Sequence, residues 1–132
     1  MANNYTESSS KLQLTLEQSK QAQAIIDAAR AAYMALDPDE SEPTGCFDLE
    51  DDCVWMYHDE SIDVEFVAFL AQALLEAFEI DEPFVFSWSY TCSKPRLDEF
   101  GGGACAVRRG KDPVWVDARS HVEALVNSPQ PL

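Results

Sequence analysis

The chain has 132 residues, of which 46% are hydrophobic and 11% aromatic. This is enough to bury the core of one domain, and it excludes a wholly disordered chain. Nine Lys and Arg residues stand against 24 Asp and Glu, which gives a formal net charge of −15 and disfavours direct binding to nucleic acid or to an anionic membrane.

The first elements in chain order are a tail and a helix. Residues 1–10 are polar and show no periodicity, so we expect a loose tail. Thr15 and Gln18 have the spacing of a capping box, which predicts that a first helix begins here. Pro38 ends this helix, because proline disfavours helical geometry in the residue before it. Residues 37–52 are then predicted to form an acidic loop.

The middle of the chain contains a short strand and a second helix. Residues 53–57 are rich in aromatic and β-branched side chains, which predicts a strand. Ser61 is the predicted N-cap of the second helix. Phe66, Leu70 and Leu74 recur at helical spacing, so this helix should have a broad buried face.

The clearest predicted strand covers residues 84–91. Smaller and mostly hydroxylated residues alternate there with four aromatic ones, which are Phe84, Phe86, Trp88 and Tyr90. A loop over residues 93–103 should lead to strands at 104–108 and 114–116. Asp117 or Ser120 could cap a last helix that ends at Val126, and residues 127–132 should be loose. The predicted fold is α+β: two main helices packed on a small antiparallel sheet, with a short C-terminal helix, in a single domain over residues 1–132.

The charge is unevenly distributed along the chain. Residues 31–93 contain 16 acidic residues and no Lys or Arg, whereas the remaining residues contain eight acidic and nine basic ones. A solubilising surface is the ordinary interpretation of such a run. However, interspersed lysines would give the same solubility with less self-repulsion, so the asymmetry indicates a basic partner.

No run of apolar residues approaches the roughly 20 that cross a bilayer, and the N-terminus has neither a basic start nor an apolar stretch. We therefore expect a cytoplasmic protein without a membrane partner. In that compartment the four cysteines should be thiols rather than disulfides.

Neither the metal-binding nor the catalytic residue types form a known motif. Cys46 and Cys53 are seven positions apart, whereas structural zinc sites use pairs separated by two to four residues. A calcium loop beginning at Asp37 would have Glu42 where the sharp turn needs glycine. The glycines at 101–103 lack the Gly-Lys-Ser/Thr ending of a phosphate loop and instead indicate a hairpin connection that needs unusual backbone angles or close backbone approach. We expect no metal, no cofactor and no enzymatic activity.

One segment has an unusual composition: WSYTCSKPRLDEFGGGA, from Trp88 to Ala104. It resembles a stretch found in small uncharacterised proteins of bacterial phages, plasmids and related mobile elements, and the resemblance covers about residues 62–108. It implies an accessory protein of a mobile element in a bacterial cytoplasm, and it implies no activity, cofactor or site.

Two classes of function follow from these observations. The first is an acidic inhibitor that binds a basic protein surface, as a DNA mimic acting against a host defence complex or another nucleic-acid-binding complex. Its contact surface would consist of ten carboxylates within 24 residues: Asp37, Asp39, Glu40, Glu42, Asp48, Glu50, Asp51, Asp52, Asp59 and Glu60.

The second class is a small protein-interaction or regulatory module whose acidity is incidental. Its contact would be the hairpin from Trp88 to Ala104, through Tyr90, Lys94, Arg96, Glu99 and Phe100. An enzyme without a recognisable motif is the weaker third hypothesis.

Overall fold

The structure is a computed structural model that describes residues 4–39, 42–94 and 100–127. Within these ranges the chain forms three helices and six strands, which confirms the predicted α+β fold and its short C-terminal helix. In chain order the elements are β1 (Asn4–Gln13), α1 (Leu16–Leu36), β2 (Cys46–Leu49), β3 (Cys53–His58), α2 (Val64–Ala77), β4 (Phe84–Cys92), β5 (Gly101–Val107), β6 (Val114–Asp117) and α3 (Ala118–Val126).

The six strands form one antiparallel sheet in the order β2-β3-β1-β4-β5-β6. Strand β1 therefore lies in the interior of the sheet, so the expected loose tail over residues 1–10 is wrong for residues 4–10. Its first half pairs with β4 over residues 4–7, and its second half pairs with β3 over residues 8–13. Hydrogen bonds on both sides stabilise this strand although most of its side chains are polar.

The serines of β1 bond to its neighbours in the sheet. The Ser8 hydroxyl donates to the carbonyl of Ser87 in β4 at 2.6 Å. On the other side, the Trp55 indole N–H in β3 donates to the Ser9 hydroxyl at 2.9 Å. A search for alternating apolar residues could not detect this strand, because its side chains contact the neighbouring strands through hydrogen bonds of serine hydroxyls.

The caps of the two main helices follow local sequence rules. Thr15 caps α1 in a complete capping box with Gln18, as predicted. Helix α2 is capped by Asp63 rather than by Ser61, because the Asp63 carboxylate accepts the N–H of Phe66 at 3.1 Å. The Tyr33 hydroxyl of α1 also donates to this carboxylate at 2.9 Å, so one acid both starts α2 and joins the two helices.

The core lies between the two main helices and one face of the sheet. Helix α2 contributes more buried side chains than any other element, among them Phe66, Leu70 and Leu74, which are fully inaccessible. From the strands come alternating residues such as Met56, Phe86 and Trp88, so the predicted aromatic face of β4 is confirmed. Tyr90 stands at the end of this face and is 37% exposed.

Two predicted loops contain strand residues. The acidic loop over 37–52 includes β2, which pairs with β3 from Cys46 to Leu49. The loop over 93–103 ends earlier than expected, because β5 begins at Gly101 and pairs with Tyr90. Glycine is required inside this strand: a Cβ atom on Gly102 would lie 2.5 Å from the Trp88 carbonyl oxygen. Of the two predicted reasons for these glycines, close backbone approach is confirmed, while the hairpin connection is wrong because the three residues lie in β5 and none has a positive φ.

Candidate functional site

The acidic surface is built around the hairpin of β2 and β3, at one edge of the sheet. Asp48 lies in the middle of β2, residues 50–52 form the turn, and Asp59 and Glu60 follow the far end of β3. The six residues of β3 span about 20 Å at the rise of an extended strand. The hairpin therefore carries acidic groups at both ends and one between them.

All nine candidate acids that the structure describes are exposed, while Glu40 lies outside the described residues. Two of the nine pair with a cation: Glu42 with Arg30 at 2.9 Å, and Glu50 with Lys11 at 3.4 Å. Within the described ranges the other seven form no ion pair: Asp37, Asp39, Asp48, Asp51, Asp52, Asp59 and Glu60.

The loop that follows α1 meets the far end of the hairpin. The Thr44 and Ser61 hydroxyl oxygens are 3.2 Å apart, and the Asp63 N–H donates to the Thr44 carbonyl at 3.0 Å. These contacts bring the loop containing Glu42 beside the loop containing Glu60. Asp37 caps the end of α1 at the start of the same loop. The acids thus form two main groups, one at each end of the hairpin, with Asp48 between them.

The opposite edge of the sheet has a different charge. Residues 100–127, which form β5, β6 and α3, contain four basic and three acidic side chains. Six strands separated by about 4.8 Å place this edge about 24 Å from β2. The strands and the helix at the β6 edge therefore carry nearly balanced charge, whereas the hairpin at the β2 edge is strongly anionic.

A groove of about 730 Å³ lies between the acidic hairpin and β4. The rings of Trp55 and Tyr57 stack beside it with centroids 4.0 Å apart. Its lining also includes three carboxylate or imidazole side chains and several hydroxyls: Glu7, His58, Asp59, Ser9, Ser87 and Ser89. Aromatic faces beside carboxylates are suited to a flat or extended cation.

A cation of the chain itself already occupies one face of this aromatic pair. Lys11 Nζ lies 5.3 Å from the centroid of the Trp55 ring and 3.4 Å from Glu50. The same edge of the sheet therefore attracts an ammonium group by both a ring and a carboxylate.

Tyr57 links the groove to the acidic hairpin. Its hydroxyl donates to Asp48 Oδ2 at 2.6 Å, and this hydrogen bond, with a smaller contribution from burial, raises the pKa of Tyr57 to about 12. The phenol therefore keeps its proton at neutral pH and holds the Asp48 carboxylate beside the ring.

The sequence predicted the acids of this region but not the groove. The sequence predicts a tail at Glu7 and Ser9, whereas strand β1 pairs Glu7 with Ser89 and Ser9 with Tyr57. The signal in the sequence is the hydroxylated face of β4, for which the sequence predicts no neighbouring strand.

The alternative contact lies at the β4–β5 hairpin, whose existence the pairing of Tyr90 with Gly101 confirms. Tyr90, Lys94 and Phe100 are exposed, Phe100 by 49%. Arg96 and Glu99 lie outside the described residues. The hairpin thus presents two aromatic rings to solvent on one connection.

The buried thiols and the His58 imidazole have surroundings that fit a role in the fold. Burial raises the pKa of the Cys53 and Cys105 thiols to about 11, so both are poor nucleophiles at neutral pH. His58 Nδ1 accepts the N–H of Ser61 at 2.8 Å, which orders the loop before α2. Within residues 4–39, 42–94 and 100–127, no three Cys, His, Asp or Glu side chains are placed to hold a metal ion.

Comparison of the chain with protein-family models, curated proteins and solved structures gave no match. Among the helices that the structure describes, none is both long and apolar enough to span a membrane.

Proposed function

We propose that this protein is an acidic inhibitor that binds a basic, nucleic-acid-binding surface of another protein, and that its carboxylates take the place of phosphates there. The observation that carries the proposal is a set of seven exposed carboxylates that form no ion pair within the described residues, five of them on the β2–β3 hairpin and two in the loop after α1. The resemblance of residues 88–104 to proteins of bacterial mobile elements makes a host defence complex the expected target.

The density of charge on the hairpin is comparable to that of one DNA strand. Six carboxylates lie along about 20 Å, or about one per 3.3 Å on average. A strand of duplex DNA carries one phosphate per about 3.4 Å. Because most of the carboxylates are grouped at the two ends, the hairpin resembles a DNA strand in its total charge over this length and not in the spacing of the individual charges.

The groove adds a contact that charge alone does not supply. A guanidinium or ammonium group of the partner can pack against Trp55 or Tyr57 while Asp48, Asp59 or Glu7 neutralises it. Arginines and lysines are the side chains with which proteins contact phosphates, so a nucleic-acid-binding surface offers this chemistry.

The test compares two variants with the same change in charge. Asp51, Asp52, Asp59 and Glu60 are replaced by Asn or Gln in one, and Glu76, Glu79, Glu82 and Glu123 are replaced by Gln in the other. All eight side chains are exposed, so both proteins should fold. Immobilised wild-type protein is used to capture proteins from a bacterial lysate, and these are identified by mass spectrometry.

We expect the wild type and the control to capture nucleic-acid-binding proteins that are released by salt or by duplex DNA. The hairpin variant should associate at least tenfold more slowly with the same proteins, because steering depends on the charges near the contact. Capture that is unaffected by the hairpin substitutions, or a partner that binds DNA and this protein together, would contradict the proposal.

A second candidate function is a protein-interaction module that uses the β4–β5 hairpin. The exposure of Tyr90 and Phe100 on one connection favours it. Here Tyr90→Ser with Phe100→Ser should abolish capture, the affinity should be indifferent to salt, and the hairpin acids should be dispensable.

A further inference from the structure

Helix α3 lacks the packing that normally stabilises a short helix. It has nine residues, and none of them is buried. Isolated helices shorter than about 12–15 residues are marginal in water, since their stability comes mainly from an apolar face packed on a partner. The Asp117 side chain accepts the N–H of Ser120 at 3.0 Å, but such a cap contributes only about 1 kcal/mol.

The exposed residues of α3 include an apolar stripe. Val122, Leu125 and Val126 recur at helical spacing and are 57%, 43% and 67% exposed. The adjoining strand β6 is exposed along its whole length. Because side chains alternate along a strand, Val114 and Val116 share one face of the sheet, while Trp115 lies on the other face and contacts Trp88. Together with the stripe of α3 they expose on the order of 500 Å² of apolar surface around this edge.

Strand β6 is also an edge of the sheet. It pairs with β5 on one side, and no strand in the described part of the chain pairs with its other side. An edge strand presents unpaired N–H and C=O groups that can pair with another strand. The patch therefore combines an unpaired backbone edge with an uncovered helix face.

We propose that β6 and α3 form the contact between two copies of this chain, related by a two-fold axis that pairs β6 with β6 in antiparallel register. A two-fold axis brings the same surface of both copies together, and an antiparallel strand pair satisfies this symmetry. The helices α3 then cover each other's apolar stripes or the neighbouring sheet, which supplies their missing packing.

The distribution of charge favours the β6 edge over the β2 edge for contact with a second copy. Residues 100–127 carry four basic and three acidic side chains, or +1, which leaves −16 for the rest of the chain. Two copies that met at β2 would bring their acidic hairpins together, whereas β5, β6 and α3 carry nearly balanced charge.

The test is the molar mass in solution, measured by light scattering after size exclusion from about 1 to about 100 μM. We expect a dimer of twice the 14.7 kDa chain mass. Val122→Asp with Leu125→Asp should weaken dimerisation about tenfold or more, since it places charges in the apolar contact. The control is Met34→Asp with Leu36→Asp, two residues on α1 that are 38% and 71% exposed.

Circular dichroism of each variant establishes that α1, α2 and the sheet are intact. A wild-type chain that stays monomeric over the whole range overturns the proposal. So does a dimer that the α3 variant leaves unchanged or that the α1 control dissociates. None of these outcomes depends on whether the acidic hairpin binds a basic partner, so the dimer and the proposed function are tested separately.

Discussion

Replacement of Gly103 by alanine tests how closely β4, β5 and β6 approach one another. A Cβ atom at this position would lie 2.6 Å from Trp88 Cζ2 and would also collide with the carbonyl oxygen of Val116. Gly101, two residues earlier in the same strand, offers a matched control. A Cβ there would have the Tyr90 ring at 3.8 Å as its nearest neighbour, which is an ordinary contact.

The magnitude follows from which atoms must move. The Trp88 indole is only 8% exposed and packs against Phe86 and Trp115, so it cannot swing into solvent without loss of core contacts. The Val116 carbonyl is backbone, so relief requires a shift of β6. Overpacking of this kind costs about 1–3 kcal/mol, and we expect Gly103→Ala near the upper value. For a chain of this size that lowers the melting temperature by roughly 10 °C.

The assay is thermal and urea unfolding followed by circular dichroism, with tryptophan fluorescence as a second probe of the Trp88 environment. Gly101→Ala should change the unfolding free energy by no more than about 0.5 kcal/mol. If Gly103→Ala unfolds with the same midpoint as the wild type and the Gly101 control, the three strands do not approach as closely as described, and the explanation of the glycines is wrong.

Three further predictions concern the core, a cap and the thiols. Trp88→Ala should cost about 3–5 kcal/mol in urea unfolding, and an unchanged midpoint would mean that this ring is not in the core. Asp63→Ala removes the cap of α2 and should cost about 1–2 kcal/mol, whereas Asp63→Asn should retain part of it; equal losses would point to the Tyr33 contact instead. The raised thiol pKa of Cys105 means that the folded state favours the protonated form, so its stabilisation is complete below pH 9 and is lost as the pH rises towards 11. The unfolding midpoint should fall over that window, and it should fall less in Cys105→Ala; the same slope in both proteins would exclude this thiol as the cause.

The elements with a strong local pattern could be predicted from the sequence. The alternation in β4 and the Thr15 capping box both specify their structures through neighbouring residues alone. Strand β1 could not be predicted, because its serines and its glutamate give no apolar alternation and its stability comes from partners that are distant in the chain. Ser61 and Asp63 are both acceptable caps by residue type, and the tertiary contact of Asp63 with Tyr33 is what a local rule does not include.

For the candidate site, the exposure of the acids could be predicted from the sequence, but their arrangement and the groove could not. Exposure of the acids followed from their charge, since unpaired carboxylates are rarely buried. Their division into two groups depends on β2, a strand of four residues inside a segment that reads as a loop. The groove depends on β1 and on the stacking of Trp55 with Tyr57, so it could be found only once the order of strands was known.

The interior position of β1 has a consequence for synthesis on the ribosome. Ser8 bonds to a residue 79 positions later in the chain, so β1 cannot be enclosed until β4 has emerged. At roughly 5–20 residues per second, that separation corresponds to roughly 4–16 s during which the first strand has no partner on that side. An apolar strand would be prone to aggregate over such an interval. The serines of β1 give no apolar pattern in the sequence. The same serines allow the nascent strand to remain extended in water until its neighbour is made.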